Sequence, residues 1–137
     1  VKYTLRPLTD GNAFKIYSLV CDGTCKTTEF LSDVESNDPE ELDKVMAFLE
    51  RCATHGPPKN KEKSRPVGGG IFEAKTTTTR ICYFYDAGKM IICTHGFYKP
   101  QPKVQNSEIK AAQKTLKNYK IAKSIGPIKI EEEKESK

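Results

Sequence analysis

Apolar and polar residues alternate from the first position. Val1, Tyr3 and Leu5 are separated by Lys2, Thr4 and Arg6 before Pro7 and Asp10-Gly11-Asn12 break the pattern. A second period-two run, Phe14-Lys15-Ile16-Tyr17-Ser18-Leu19-Val20, is rich in β formers and ends at Asp22-Gly23, so it predicts a strand. The first run either pairs with this strand or extends ahead of it. The period then changes. Between Thr24 and Val34, the residues Phe30, Leu31 and Val34 take the spacing of a short helix, with Glu29 on its polar side. Asp38 is placed to cap a second helix, Pro39 to occupy its first position and Glu41 to complete a capping box. Leu42, Val45, Met46, Leu49 and Cys52-Ala53 recur on one face until Gly56-Pro57-Pro58 stops it. The two helical segments predict a hairpin that covers one face of a sheet.

The stretch from Lys59 to Pro66 is basic and polar, and Gly68-Gly69-Gly70 predicts a turn. These glycines do not form a phosphate-binding loop, because the lysine and hydroxyl residue required after them are missing. Three strand candidates follow: Ile71 to Thr76, Arg80 to Tyr85 and Lys89 to Phe97. If Ala87-Gly88 is a two-residue turn, Phe84 faces Ile91, Cys82 faces Cys93 and Arg80 faces His95. Arg80, Cys82, Phe84, Ile91, Cys93 and His95 then share one sheet face; Ile81, Tyr83, Tyr85, Met90 and Ile92 share the other. Both faces are largely apolar, which predicts a central hairpin covered on each side. A last helix is expected from Ser107, as its cap, to Tyr119. Ile109, Ala112, Leu116 and Tyr119 would form its apolar stripe and Lys110, Lys114 and Lys117 a cationic face. Ile128-Lys129-Ile130 can add a short strand before a solvated tail. The class is α+β: a small twisted antiparallel sheet with a helical pair and a C-terminal helix.

Composition narrows the picture modestly. A chain of 137 residues with 36% hydrophobic content fits one domain with one core. The net charge of +5 permits a polyanionic partner without requiring one. The longest apolar runs, such as Met90-Ile91-Ile92-Cys93, fall far short of the roughly 20 residues that cross a bilayer. No apolar signal-peptide core follows the N-terminus, so a cytoplasmic protein with no membrane partner is expected. Five cysteines, an odd number without regular spacing, predict reduced thiols.

Three stretches together resemble a known pattern: Gly68-Gly69-Gly70-Ile71-Phe72-Glu73-Ala74-Lys75, Arg80-Ile81-Cys82-Tyr83-Phe84-Tyr85-Asp86 and His95-Gly96-Phe97-Tyr98-Lys99. Their order and spacing resemble the phage-derived, HigB-like branch of the RelE superfamily of bacterial toxins. Asp22-Gly23 with Thr28-Glu29-Phe30-Leu31 is similar to that family's approach into its first helix, and Glu108-Ile109 with Ala112 to the start of its last. The likeness covers roughly residues 14 to 120. It implies a RelE-like fold over 14–125, with residues 1–13 as an N-terminal extension and 126–137 as a charged tail. It also implies a toxin that cleaves messenger RNA on the ribosome and is neutralised by an antitoxin protein. Carried over by position, the implied catalytic residues are Lys75, Arg80, His95 and Lys99. Lys103 matches a further basic position. Arg65, Tyr98, Lys110, Lys114 and Lys117 join it as RNA-binding candidates. The sequence departs from the pattern at Pro100, which stands where a basic residue is common, and at Lys75, where arginine is usual.

Cleavage by 2′-hydroxyl attack requires a proton acceptor, stabilisation of the pentacoordinate phosphate and a proton donor for the leaving 5′-oxygen. Arg80 and Lys75 suit the phosphate, because cationic donors act where charge develops. His95 suits proton transfer, with Tyr98 or Lys99 assisting. No cofactor is expected, and the lack of paired carboxylates at metal-site spacing predicts metal-independent chemistry. Plainer readings stand beside these. Arg80 and Lys75 can be solvated strand-end charges, His95 a structural histidine, Tyr83 and Tyr85 packing residues and the lysines a solvated face. Cys52 with His55 and Cys93 with His95 have ligand-like spacing for zinc, if the fold brings the pairs together. Two further readings remain open: a cysteine nucleophile activated by His55 or His95, and a noncatalytic RNA- or protein-binding module of the same fold.

Overall fold

The computed structural model describes residues 1–99 and 102–132, with the backbone alone at 102–104. In chain order the elements are β1 (Tyr3–Asp10), β2 (Lys15–Cys21), α1 (Lys26–Asn37), α2 (Pro39–His55) and β3 (Ser64–Gly68). There follow β4 (Ile71–Lys75), β5 (Thr79–Asp86), β6 (Met90–Tyr98), α3 (Pro102–Ile125) and β7 (Lys129–Ile130). The strands form one open sheet in the order β3-β4-β5-β6-β2-β1-β7. Most neighbours are antiparallel, whereas β2–β6 and β1–β7 run parallel. The expected α+β class therefore holds, with a mixed rather than purely antiparallel sheet. The parallel β2–β6 pairing exists because α1 and α2 carry the chain from β2 back across one face.

Each face of the sheet carries its own core. On one, Leu31, Val45, Leu49, Cys52 and Ala53 of α1 and α2 pack on Ile16, Ala74, Ile81, Tyr83, Ile91 and Cys93. On the other, Ala112, Leu116 and Tyr119 of α3 pack on Leu5, Tyr17, Leu19, Ile71, Cys82, Phe84 and Ile92. The first period-two run does pair: β1 is antiparallel to β2 with Leu5 opposite Leu19, and Tyr3 and Leu5 enter the α3-side core. Covering both faces explains why the central strands read as nearly continuous apolar runs.

The predicted β5–β6 register is corrected. The turn holds three residues, Ala87-Gly88-Lys89, with Gly88 and Lys89 at positive φ, so Asp86 pairs with Met90 and Phe84 with Ile92. That slip of one residue moves Ile91 and Cys93 to the α1/α2 side and Met90 and Ile92 to the α3 side. A bulge at Thr94 then adds a second residue, so Cys82 pairs with His95 and Arg80 with Phe97. Arg80 and His95 remain on one face, but two positions apart along the ladder.

Other local expectations also change. β3 was not anticipated, because Pro66 and the surrounding charges hide an edge strand; it forms a hairpin with β4 across Gly68-Gly69-Gly70, all at positive φ. The first helix begins at Lys26 rather than Thr24. The last begins at Pro102, so Ser107 lies inside it, and it continues to Ile125. Asp38 does cap α2, its carboxylate accepting the Glu41 N–H at 3.2 Å. Glu41 does not close the capping box. Its carboxylate turns instead toward the β4–β5 turn, where three stronger partners wait. Residues 133–137 of the expected tail lie outside the described residues.

Candidate functional site

The β4–β5 turn is held from outside itself. The buried Glu41 carboxylate accepts hydrogen bonds from Thr76 Oγ1 at 2.8 Å, Thr78 N–H at 2.8 Å and Thr79 Oγ1 at 3.2 Å. The Thr76 and Thr79 hydroxyls also touch each other, and Thr79 can turn its one proton to either Thr76 or Glu41. Burial alone would push the Glu41 carboxyl up, but these donors outweigh it and hold it below its ordinary value. The threonine run between the two strands is thus a turn fixed to the first turn of α2.

This turn places the cations. Arg80 Nη1 donates to the carbonyls of Thr76 and Thr79, each at 2.8 Å, so its guanidinium is pinned where β5 opens. Lys75 stands opposite Arg80 in the β4–β5 register. The Lys99 backbone N–H donates to Thr78 O at 2.8 Å, which brings the end of β6 to the same turn. Lys75, Arg80 and Lys99 therefore gather at one end of the sheet. The half-buried Lys75 ammonium titrates below the usual lysine value, first because burial disfavours its charge and then because Arg65 and Arg80 stand nearby; Glu73 pulls the other way. Glu73 is fully buried, accepting from Gln105 Nε2 at 2.6 Å and from Arg65 Nε at 3.4 Å. Arg65 is thereby engaged in the fold as well as half exposed.

Beside the turn lies a groove of about 560 Å³ between α2, the 58–63 segment and the β4–β5 turn. Lys44, Arg51, Lys63, Lys75 and Arg80 line it against a single carboxylate, Glu62, and Phe48 supplies an aromatic surface. Lys44 Nζ reaches Thr77 Oγ1 at 3.2 Å. Sequence reading missed Lys44, Phe48, Arg51 and Lys63. On α2 the signal was present: Lys44, Phe48 and Arg51 follow an i, i+4, i+7 spacing, the helical face adjoining the apolar one.

His95 lies elsewhere. It lines a second cavity of about 300 Å³ between α3 and the α1 end of the sheet, with Lys26, Thr94 and Glu108 among its neighbours. Its Nδ1 is 3.1 Å from Thr94 Oγ1. Its buried Nε2 stands 3.5 Å from Glu108 Oε2 without hydrogen-bond geometry, leaving it unpartnered among the described residues. Burial holds the imidazole pKa below its ordinary value; Glu108 opposes this and Lys26 reinforces it. Tyr98 is half exposed on the α1 side, where its hydroxyl donates to Asp33 at 2.6 Å and its ring meets Phe30 at 5.0 Å. Lys110, Lys114 and Lys117 project from the solvent side of α3 and do not line the groove. Pro100 and the side chain of Lys103 lie outside the described residues.

The cysteine alternatives find no support in the geometry. All five thiols are free, and burial pushes Cys52 and Cys82 up to about 12. Cys93 faces α1 and α2 while His95 faces α3, because the Thr94 bulge separates them. Among the described residues no group of three or more His, Cys, Asp or Glu is placed to hold a metal ion, so the zinc pairing expected as an alternative does not assemble. No described helix is long and apolar enough to cross a membrane.

Among solved structures, a chain of the toxin–antitoxin complex RelBE2 from Mycobacterium tuberculosis is similar at 16% identity and a TM-score of 0.45, covering 72% of this chain and 100% of that one. No curated protein matches the sequence. Residues 32–117, from the middle of α1 through most of α3, match the family described as Phage derived protein Gp49-like (DUF891), and the chain belongs to that family.

Proposed function

We propose that this protein is the toxin component of a toxin–antitoxin system, acting as a ribosome-dependent, metal-independent mRNA endoribonuclease of the HigB-like, RelE-type branch. The observation that carries it is the groove: five cationic residues and Phe48 line it beside a turn fixed by Glu41, with one carboxylate among them. Such a surface suits a single RNA strand, with phosphates on the cations and a base against Phe48. Gp49-like membership is consistent with a phage-derived toxin, and the resemblance of the motif order to the HigB-like branch supports the same reading.

In this scheme Arg80 and Lys75 hold the scissile phosphate, and Lys99 adds charge from the neighbouring strand end. The 2′-hydroxyl gives its proton to the neutral Lys75 amine as the 2′-oxygen attacks phosphorus, the P–O5′ bond breaks with the 5′-oxygen taking a proton from the Lys75 ammonium so formed, and a 2′,3′-cyclic phosphate remains. Lys75 is suited to proton transfer, since its depressed pKa makes exchange with the reacting oxygens easier than for an ordinary lysine. His95 opens on a different cavity, so the phosphorus chemistry does not depend on it. The lysines on α3 are free to meet ribosomal RNA phosphates while mRNA occupies the groove, and an antitoxin would neutralise the protein by covering one of these surfaces. Cytoplasmic action follows from a ribosomal substrate.

Induction in growing bacteria tests this. Rapid translation arrest is expected, with transcript cuts that require ribosomes. Arg80→Ala is expected to lower cleavage by about 10²-fold or more and, since it also removes two hydrogen bonds that hold the turn, to lower the melting temperature. Lys75→Ala is expected to lower cleavage by a similar factor with the melting temperature nearly unchanged. Wild-type protein that leaves growth and transcripts intact sinks the catalytic scheme. The separation of His95 from the groove favours one competing reading, a noncatalytic RNA-binding module of the same fold; it predicts salt-sensitive RNA binding with no cleavage under any condition.

A further inference from the structure

The run Thr76-Thr77-Thr78-Thr79 is a motif that the cationic groove does not by itself explain. Tight turns favour Gly, Pro, Asn, Asp and Ser, and none of these stands between Lys75 and Arg80. Each threonine is instead tied to α2. Thr76 Oγ1, Thr78 N–H and Thr79 Oγ1 all reach one atom, Glu41 Oε2, at 2.8, 2.8 and 3.2 Å, and Thr77 Oγ1 takes Lys44 Nζ at 3.2 Å. The carbonyls of the same turn serve the cations. Those of Thr76 and Thr79 accept from Arg80 Nη1, each at 2.8 Å, and that of Thr78 accepts from the Lys99 backbone N–H at 2.8 Å. The turn is therefore held by α2 and itself holds Arg80.

How the guanidinium is divided decides what it can bind. Nη1 is taken up by the two carbonyls. Nη2 and Nε make no hydrogen bond among the described residues, and together they form one edge of the plane, a two-donor fork that fits two oxygens of a phosphate. Arg80 lines the groove yet is only 9% exposed. A side chain so enclosed cannot search for its ligand, so its aim is set by the two carbonyls, and theirs by Glu41. The carboxylate is hard to replace in this task. It has about four lone-pair sites and no donor, whereas a glutamine would bring a single acceptor oxygen and aim N–H groups at the threonine hydroxyls.

We propose that Glu41 is a positioning residue, which through the threonine turn aims the free edge of Arg80 at a phosphate in the groove. That the phosphate belongs to an RNA strand rests on the proposed function; the hold of Glu41 on the guanidinium does not. Arg51 lines the groove from further along α2 and forms no hydrogen bond with the turn among the described residues, so it serves as the control.

Two measurements on the full chain test this role. The first needs no ligand. In proton–nitrogen NMR spectra of the arginine side chains, with Arg80 identified by its loss in Arg80→Ala, resolved and slowly exchanging Nη protons are expected for Arg80, because two carbonyls hinder its rotation. Glu41→Gln is expected to collapse these signals while those of Arg6, Arg51 and Arg65 stay in place. Thr76→Val removes one tether and is expected to give a smaller change of the same kind, which keeps the test decisive if Glu41→Gln does not fold. Arg80 signals that are unchanged in these variants overturn the inference. The second measurement is binding of a 2′-O-methyl oligonucleotide, which has no free 2′-hydroxyl to react. It is followed by fluorescence anisotropy in a double-mutant cycle, at a temperature where every variant is folded. Arg80→Ala is expected to weaken binding about tenfold in the wild type and less than about twofold in Glu41→Gln, whereas Arg51→Ala costs the same factor in both. Equal losses for Arg80→Ala in the two backgrounds make Glu41 a support of the fold alone and overturn the positioning role. A wild type that binds no oligonucleotide sinks the RNA reading of the groove, and the NMR signals then decide by themselves whether Glu41 holds Arg80.

Discussion

Glu41 accepts three hydrogen bonds that close the β4–β5 turn, and its position just after a helix cap gives no sign of them. Its folded pKa lies below the ordinary carboxylate value, so the ionised form stabilises the fold above the unfolded pKa of roughly 4.3. That contribution disappears as pH falls through the lower, folded value. Glu41→Gln is accordingly expected to cost about 1.5–3 kcal/mol at pH 7, read by urea unfolding, with wild type and variant converging in acid. Gly96 gives a second residue-scale expectation. A Cβ built there would stand 2.2 Å from the Phe30 ring, so Gly96→Ala should destabilise by about 1–3 kcal/mol. A second change, Phe30→Ala, should make the Gly96→Ala cost small, and a double-mutant cycle measures that coupling. In sequence, Gly96 is legible as part of a motif; that the glycine makes room for a ring on α1 is not.

At the scale of elements, the β5–β6 hairpin shows how little residue count a sheet needs to change its meaning. One extra turn residue exchanges the faces of Ile91 and Ile92, and the Thr94 bulge restores the face of His95. Gly88 has φ +84 with nothing within 4 Å of a built Cβ, so its role is purely conformational. Gly88→Ala should cost about 1–2 kcal/mol without any steric clash, measured as a fall in unfolding midpoint at constant m-value. The helices were easier to read. The α2 stripe and its Asp38 cap are local signals, and Val45, Leu49, Cys52 and Ala53 are buried as the spacing requires. The α3 stripe was equally legible at Ala112, Leu116 and Tyr119, but its ends were not. The helix extends past Tyr119, where Tyr119 and Lys123 both bind Asp86 of the hairpin at 2.5 Å, a contact that a helix-local rule cannot contain.

For the whole molecule, a net charge of +5 on 137 residues is unremarkable until the fold sorts it. Five cations meet in the groove although they come from α2, the 58–63 segment, β4 and β5. If a single RNA strand engages all five, the log-log salt slope of binding should approach about −3.5, at roughly −0.7 per phosphate contact. Lys44→Ala combined with Arg51→Ala should make it shallower by about 1.4, measured by fluorescence anisotropy across a salt series; an unchanged slope would place the RNA elsewhere. The sequence by itself determined what depends on neighbours within a few positions: helix and strand periods, the Asp38 cap, the glycine turns and the motif that set Lys75, Arg80 and Lys99 near one strand end. Tertiary structure alone decided the sheet register, the opening of His95 on a second cavity, the recruitment of α2 cations and the partners of Glu41. The physical reason is that pairing and face depend on counts of turn and bulge residues, and cavities on which distant elements stack, neither of which is encoded in any short window of the chain.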